Sequence, residues 1–258
     1  MATVKEKMTS LANQFRQYLD ISVVMSLEDM INNVKEVFNK GKQSEYDRFW
    51  NICQENGERK NYNYAFSGRG WTNDNFHPKY DIVPTNAQYM FQAARIEKPM
   101  ENANIDFSKC TDARYMFQAN TTVKELGVLD FRGTASPSPY LSYLFQSCSS
   151  LETVEKIYVK ETHQFGYAFD NCTALKNIIF RGVIASSINI RWSPLNKASI
   201  TSIINVLSGS VNGMTLTLSK TAVNNAFGIN IDDESTYPEG SEYYNLRHSK
   251  DNWTISYL

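Results

Sequence analysis

Residues 165–180 have the sequence FGYAFDNCTALKNIIF, and the recurrence of its pattern along the chain indicates the fold. It contains an aromatic pair that is predicted to anchor one turn of helix, followed by a cysteine, a leucine and a short β-branched run. The Tyr-x-Phe pattern near its start occurs in five copies. The copies are Tyr64–Phe66, Tyr89–Phe91, Tyr115–Phe117, Tyr143–Phe145 and Tyr167–Phe169.

The spacing of these copies indicates the architecture. Successive phenylalanines of the pattern lie 25, 26, 28 and 24 residues apart, and a period in the twenties is typical of leucine-rich repeats. Stacked units of this kind bury an apolar face that no single unit can bury alone. We therefore predict an α/β fold, a leucine-rich-repeat-like solenoid of about five to six repeats. It occupies residues 58–258, with the repeats at about 62–225 and a C-terminal cap.

The second half of each unit is predicted to form a strand. The candidate strands are residues 105–107, 129–131, 157–159 and 178–180. In all but the last, apolar and outward-facing residues alternate, as is typical of a strand with one exposed face. Asp106, Asp130 and Tyr158 are then expected on the open face of the sheet, where they form a candidate binding surface.

Two of the cysteines occupy equivalent positions in the repeat. Cys148 and Cys172 each lie three residues after the phenylalanine of the pattern, where other units have Asn120 and Ala94. The interchange of these residue types indicates an interior packing role rather than a ligand role. The 4 cysteines lack C-x-x-C spacing and the chain has only 3 histidines, so a zinc site is not expected. We predict no metal and no other cofactor.

Residues 1–57 are predicted to form a short all-helical N-terminal region. Near its start, apolar residues recur with the a/d spacing of a coiled coil over about two heptads. This candidate oligomerisation stripe consists of Val4, Met8, Leu11, Phe15 and Tyr18. The region either caps the open end of the repeats or serves attachment and oligomerisation. In the second case we expect a homo-oligomer, with a trimer favoured.

A segment between Tyr62 and Tyr80 is rich in Asn, Gly and aromatic residues. Trp71, Phe76 and Tyr80 belong either to a packed loop or to a binding surface. Aromatic side chains among Asn and Gly also suit stacking on sugar rings, so a glycan receptor is among the expected partners.

Composition and motifs exclude several functions. The net charge is −1, and the chain lacks the basic cluster that phosphate binding needs, so no nucleic-acid partner is expected. No stretch is long and apolar enough to span a bilayer, which predicts no membrane insertion. The N-terminus lacks the pattern of a signal peptide, so synthesis in the cytoplasm is expected. No catalytic motif such as G-x-S-x-G or H-E-x-x-H is present, and we predict that the protein is not an enzyme.

The pattern Tyr-x-Phe-x-x-Cys-x-x-Leu is complete at Tyr143–Leu151 and Tyr167–Leu175. It resembles the repeat of BspA-type leucine-rich-repeat proteins, especially the branch with Met-Phe-x-x-Cys-x-x-Leu units. The resemblance covers about residues 62–225. Members of this family are mostly surface or secreted bacterial proteins that bind host proteins or other cells, and relatives occur in phages and prophages of gut bacteria. The resemblance implies a binding function on a repeat scaffold.

The N-terminal segments Val4–Ala12 and Ser26–Met30 are similar to the short helical starts of phage tail-associated proteins. Together the two resemblances imply a phage or prophage tail- or baseplate-associated virion protein, made in the host cytoplasm. Its expected partners are neighbouring virion subunits or a host cell-surface receptor. The alternative is a bacterial BspA-like repeat protein, cytoplasmic or at the cell surface, that mediates protein–protein or cell-surface adhesion.

Overall fold

The fold is mixed α/β, with few helices and small parallel sheets among the residues that the structure describes. The structure is a computed structural model. It describes residues 61–68, 70, 82–96, 105–132 and 140–258. The predicted N-terminal helices, the stripe at Val4–Tyr18 and the loop residues Trp71, Phe76 and Tyr80 lie outside the described residues.

Six strands and three α-helices are described. The strands are β1 (Glu125–Asp130), β2 (Thr153–Val159), β3 (Asn177–Gly182), β4 (Ile188–Asn189), β5 (Met214–Leu218) and β6 (Trp253–Tyr257). The helices are α1 (Lys197–Asn205), α2 (Lys220–Phe227) and α3 (Glu242–His248). Two short 3₁₀ turns lie at Phe107–Lys109 and Glu234–Thr236.

The first sheet has the strand order β1-β2-β3, and both pairings are parallel. Leu126 lies opposite Val154, and Val154 opposite Ile178, so equivalent residues of successive repeats align and are buried. The strands predicted at 157–159 and 178–180 are confirmed. The strand predicted at 105–107 is wrong: Ile105 makes one isolated bridge to Ile82, and the chain then turns into the 3₁₀ segment.

Each Tyr-x-Phe copy forms a run of consecutive hydrogen-bonded turns, three in each of the last four copies, which we name a turn unit. The turn units are residues 62–68, 87–94, 113–120, 141–148 and 165–172. The prediction of a helical turn here is wrong, because the tyrosine of every unit has a positive φ, from 55° at Tyr64 to 61° at Tyr143. The residue four positions later also has a positive φ, as at Gly68 and Asn171. Such residues fit the third position of a type II turn and interrupt a right-handed helix.

Successive turn units are joined by a continuous ladder of peptide hydrogen bonds. The N–H of Tyr89 donates to the carbonyl of Arg114 at 3.0 Å, and the N–H of Phe91 donates to that of Met116 at 2.8 Å. Equivalent bonds link every unit to the next, and isolated parallel bridges continue the pairing from Asn61 to Gln164. In each of these peptide groups the N–H points toward the following unit. Each repeat of the sequence therefore corresponds to one layer of hydrogen-bonded backbone.

The phenylalanines of the pattern form a buried column at the centre of this stack. Neighbouring ring centroids are 5.1, 5.5, 5.8 and 5.6 Å apart from Phe66 to Phe169. All five side chains are fully buried. Such offset aromatic pairs contribute about 0.5–1.5 kcal/mol each beyond the area that they bury.

The residue three positions after each of the later phenylalanines ties its unit to the preceding one. The Sγ of Cys148 donates to the carbonyl of Phe117 at 3.0 Å, and the Sγ of Cys172 donates to that of Phe145 at 3.1 Å. At the same position Asn120 uses its Nδ2 to donate to the carbonyl of Phe91. Burial raises the pKa of Cys148 well above its usual value and that of Cys172 to about 12. The predicted interior position of these cysteines is confirmed, and the structure adds that their neutral thiols are hydrogen-bond donors.

Helix α1 closes the free edge of the first sheet with two serine hydroxyls. The Oγ of Ser199 accepts the N–H of Ile178 at 2.9 Å, and the Oγ of Ser202 accepts the N–H of Phe180 at 2.7 Å. The helix begins after Asn196, whose side chain accepts the N–H of Ser199. The hydroxyls thus occupy the places that a further strand would take, which is one way in which proteins protect a sheet edge.

The C-terminal part forms a second parallel sheet with the order β4-β5-β6. Ile188 lies opposite Leu216, and Leu216 lies opposite Ile255.

Candidate functional site

The tyrosines of the turn units form a surface column. The ring centroids from Tyr64 to Tyr167 are 4.4, 4.6, 4.5 and 5.1 Å apart, and neighbouring rings are tilted by no more than 15°. Tyr64 and Tyr167 at its ends are 51% and 59% exposed, and the three rings between them are half-buried. The column is therefore a preformed aromatic surface whose side chains hold one another in place.

A column of glutamines runs along the same turn units. The Nε2 of Gln92 donates to the Oε1 of Gln118 at 2.6 Å, and the Nε2 of Gln118 donates to the Oε1 of Gln146 at the same distance. These amides are half-buried, and Asp170 occupies the equivalent position in the fifth unit. We name the tyrosine and glutamine columns together the Tyr–Gln face.

Apart from Asp170 in the fifth unit, the Tyr–Gln face carries neutral hydrogen-bonding groups. Desolvation is the first cause that raises the pKa of Tyr89 and of Tyr143, followed by the neighbouring tyrosines of the column. These phenols therefore stay protonated at neutral pH and can both donate and accept. Arg114, beside the column, has its charge compensated by Asp112, which pairs with it through both carboxylate oxygens.

The structure brings together two of the three predicted strand-face residues. Asp130 lies opposite Tyr158 in the pairing of β1 with β2. Arg132 connects them: its guanidinium donates to both oxygens of Asp130, at 3.0 and 2.6 Å, and lies over the ring of Tyr158 at 4.0 Å. The hydrogen bonds from Arg132 lower the pKa of the Asp130 carboxyl. The carboxylate is therefore already engaged and is not a free acid.

The third predicted residue, Asp106, does not join this cluster. Its carboxylate accepts the N–H of Ser108 and begins the 3₁₀ turn at Phe107–Lys109. The side chain is exposed, and the turn replaces the strand that would have aligned Asp106 with Asp130. Asp106 therefore has a local capping role in the described structure.

Sequence reasoning missed three features of this surface. It treated Tyr167 as a packing contact, did not consider the glutamines, and did not pair Arg132 with Asp130. One signal was present, because Gln92, Gln118 and Gln146 all lie three residues after the tyrosine of their unit. Side-chain amide ladders are a known way to stabilise stacked backbone.

In the described ranges, no group of three or more His, Cys, Asp or Glu side chains is placed to hold a metal ion. No helix of the described part is both long and apolar enough to cross a membrane. Comparisons of the chain with protein-family models, with curated proteins and with solved structures found no match.

Proposed function

We propose that this chain is a non-enzymatic binding protein built on a leucine-rich-repeat-like solenoid of about five to six repeats. The continuous peptide ladder and the two aromatic columns support this proposal. Each turn unit donates its hydrogen bonds to the next and buries its phenylalanine against it. Such nearest-neighbour stabilisation is the property that defines a solenoid.

The observation that carries the binding role is the Tyr–Gln face. Tyrosine is enriched at protein interfaces because it offers a large contact area and a hydroxyl at a low cost in side-chain entropy. In this chain the stacked rings have already lost most of that entropy before a partner arrives. A preorganised surface with few charges is suited to contact with another macromolecule.

In the cell, the chain acts as a phage or prophage tail- or baseplate-associated virion protein. The repeats contact a host receptor or neighbouring virion subunits, and the N-terminal region attaches or oligomerises the chain, with a trimer favoured. The similarity of Val4–Ala12 and Ser26–Met30 to tail-associated proteins supports this placement. The Asp130–Arg132–Tyr158 cluster on the sheet offers a second contact surface on the same scaffold.

Mass spectrometry of purified virions tests the placement. We expect the chain in particles that have been separated from cell debris. If it is absent from the particles and present in the bacterial cell fraction, the virion placement is wrong and the alternative, a BspA-like bacterial adhesion protein, takes its place. The mass of the full chain in solution tests the oligomer separately, since a monomer would contradict the coiled-coil role of the N-terminal stripe.

Binding of the labelled full chain to host cells tests the Tyr–Gln face. Tyr167→Ala removes one exposed ring at the end of the column and breaks a single stacking contact. Trp192→Ala is a matched control, because Trp192 is 46% exposed and belongs to no turn unit. We expect weaker binding for Tyr167→Ala alone. Equal binding by both variants and the parent chain would show that the tyrosine column is not part of the binding interface.

A further inference from the structure

An open groove of about 550 Å³ lies between strand β3 and helix α1. Its volume falls within the range of ligand-binding clefts, about 300–1,000 Å³. The groove is separate from the Tyr–Gln face and adjoins the Asp130–Arg132–Tyr158 cluster, because Arg181 lies opposite Tyr158 in the pairing of β2 with β3. Its lining contains two cationic side chains, Arg181 and Lys197, and no acidic one.

Arg181 has unused hydrogen-bonding capacity. Its guanidinium makes one described hydrogen bond, from Nη1 to the carbonyl of Phe180 at 3.3 Å. Arg114 and Arg132 are each paired with an aspartate two residues earlier, whereas Arg181 has no carboxylate partner among the described residues. A guanidinium with a free fork of N–H donors is the side chain best suited to bidentate recognition of a carboxylate.

Lys197 is a second cation that can pair with a carboxylate of the ligand. It pairs with Glu242, and both side chains are largely exposed. An exposed pair of this kind contributes about 0–1 kcal/mol, so a ligand carboxylate can replace Glu242 at little cost. The groove therefore presents a positive rim without having to break a strong internal ion pair.

Two neutral polar side chains complete the rim. Thr201 and Asn205 lie four residues apart on α1 and both line the groove, which places them on one face of the helix. Neither side chain has a hydrogen-bond partner within the described ranges. Thr201 and Asn205 can thus supply donors and acceptors to the backbone of a ligand.

The remaining lining selects the class of ligand. Ile179 and Ala198 provide an aliphatic surface, and the lining contains no aromatic ring. A sugar ring finds no open face on which to stack, because the rings that adjoin the groove, those of Tyr158 and Phe227, each lie under a cation. An aliphatic side chain, in contrast, can be buried against Ile179 and Ala198.

We propose that the groove between β3 and α1 binds an acidic peptide segment of a partner protein. A Glu or Asp carboxylate of the peptide pairs with the fork of Arg181 near Lys197, and an adjacent aliphatic side chain packs on Ile179 and Ala198. Thr201 and Asn205 hydrogen-bond the peptide backbone. This site does not depend on whether the chain is part of a virion.

Calorimetric titration of the full chain tests the proposal with the synthetic peptide acetyl-Leu-Glu-Leu-Glu-Leu-amide. The matched probe is the same peptide with Gln in place of both Glu residues. We expect the Glu peptide to bind at least about tenfold more tightly, which is about 1.4 kcal/mol. The difference should shrink as the salt concentration rises.

Two variants locate the site. Arg181→Gln should remove the preference for the Glu peptide, and Ala198→Trp should block the groove and weaken binding of either peptide. Arg95→Gln makes the same change of charge at an exposed arginine after the second turn unit and should leave binding intact. Unchanged circular dichroism of each variant establishes that it is folded.

Three results would overturn the proposal. Equal affinity for the Glu and Gln peptides would exclude carboxylate recognition. Equal weakening by Arg181→Gln and Arg95→Gln would show a nonspecific charge effect. Binding of glucuronate in place of the peptide would show that the groove takes an acidic sugar. None of these results bears on the virion assay.

Discussion

Replacing Ser199 and Ser202 by alanine tests how the edge of the first sheet is closed. Both residues are buried, and each hydroxyl makes two hydrogen bonds, to β3 or to Lys176 directly before it. Ser202 accepts the N–H of Phe180 at 2.7 Å and donates to its carbonyl at 3.2 Å. Ser199 accepts the N–H of Ile178 at 2.9 Å and donates to the carbonyl of Lys176 at 3.0 Å.

The magnitude follows from these four bonds. A buried donor that loses its partner costs about 1–3 kcal/mol, while alanine regains up to about 0.5 kcal/mol of helix propensity at each position. We expect the double variant to lose about 2–5 kcal/mol of unfolding free energy, because the two hydroxyls serve different peptide groups. This is a large share of the roughly 5–15 kcal/mol that stabilises a typical domain.

Urea unfolding followed by circular dichroism measures the loss, and hydrogen exchange of the β3 amides locates it. The amides of Ile178 and Phe180 should exchange faster in the double variant. Ser210→Ala is the control: Ser210 is exposed and its hydroxyl has no partner among the described residues, so its effect should stay within about 0.5 kcal/mol. If the double variant matched this control and its β3 amides kept their protection, the two serine hydroxyls would not be what stabilises this edge of the sheet.

Three further outcomes are expected. Burial, followed by the charge of Lys160, lowers the pKa of His163 to about 4. An unfolded histidine titrates near 6.5, so the free energy of unfolding should fall by about 3 kcal/mol as the pH drops from about 6.5 to about 4. Urea unfolding across this range should show that the free energy of unfolding depends less on pH in His163→Asn than in the parent chain. Tyr115→Ala should lower the free energy of unfolding by about 1–3 kcal/mol, because it removes two stacking contacts. Tyr115→Gly should lower it less, as measured by thermal unfolding, because glycine adopts the positive φ of 60° without strain. Cys172, whose pKa burial raises to about 12, should resist iodoacetamide at pH 8 in the native chain and react once urea is added; rapid native alkylation would contradict its burial.

The repeat positions could be predicted from the sequence because they reflect packing between units. The spacing of the Tyr-x-Phe copies places each phenylalanine in one buried column, and the equivalence of Asn120, Cys148 and Cys172 identifies an interior packing position. Such positions tolerate only side chains of suitable size and polarity, so the pattern is visible in a single sequence.

The local backbone could not be predicted in the same way. A tyrosine with positive φ is uncommon, and nothing in the side chain of Tyr89 or Tyr115 favours it. Gly68 and Asn171, four residues after their tyrosines, are the residue types that adopt this region most readily. They were the one available sign that the segment turns and does not form a helix.

Capping and pairing interactions also could not be predicted from the sequence, because they depend on which segments come into contact. Nothing in the apolar pattern of α1 shows that Ser199 and Ser202 will meet the amides of β3. Likewise, the contact of Arg132 with Tyr158 depends on the register of β1 against β2. The aspartate two residues before Arg132 is a local partner that the sequence does show.

The strain at the tyrosines explains why the stack behaves as a unit. A left-handed residue other than glycine costs about 1–2 kcal/mol, and each stacked pair returns about 0.5–1.5 kcal/mol. Over the whole column, five such tyrosines cost about 5–10 kcal/mol and four stacked pairs return about 2–6 kcal/mol. Stacking therefore offsets part of the cost, and the peptide ladder between units offsets the rest. Tyr64 and Tyr167 each stack on one neighbour, while Tyr115 stacks on two. A single turn unit would keep the backbone strain and lose both the ring stacking and the peptide hydrogen bonds that offset it. The Tyr–Gln face is therefore stable only when the turn units are stacked.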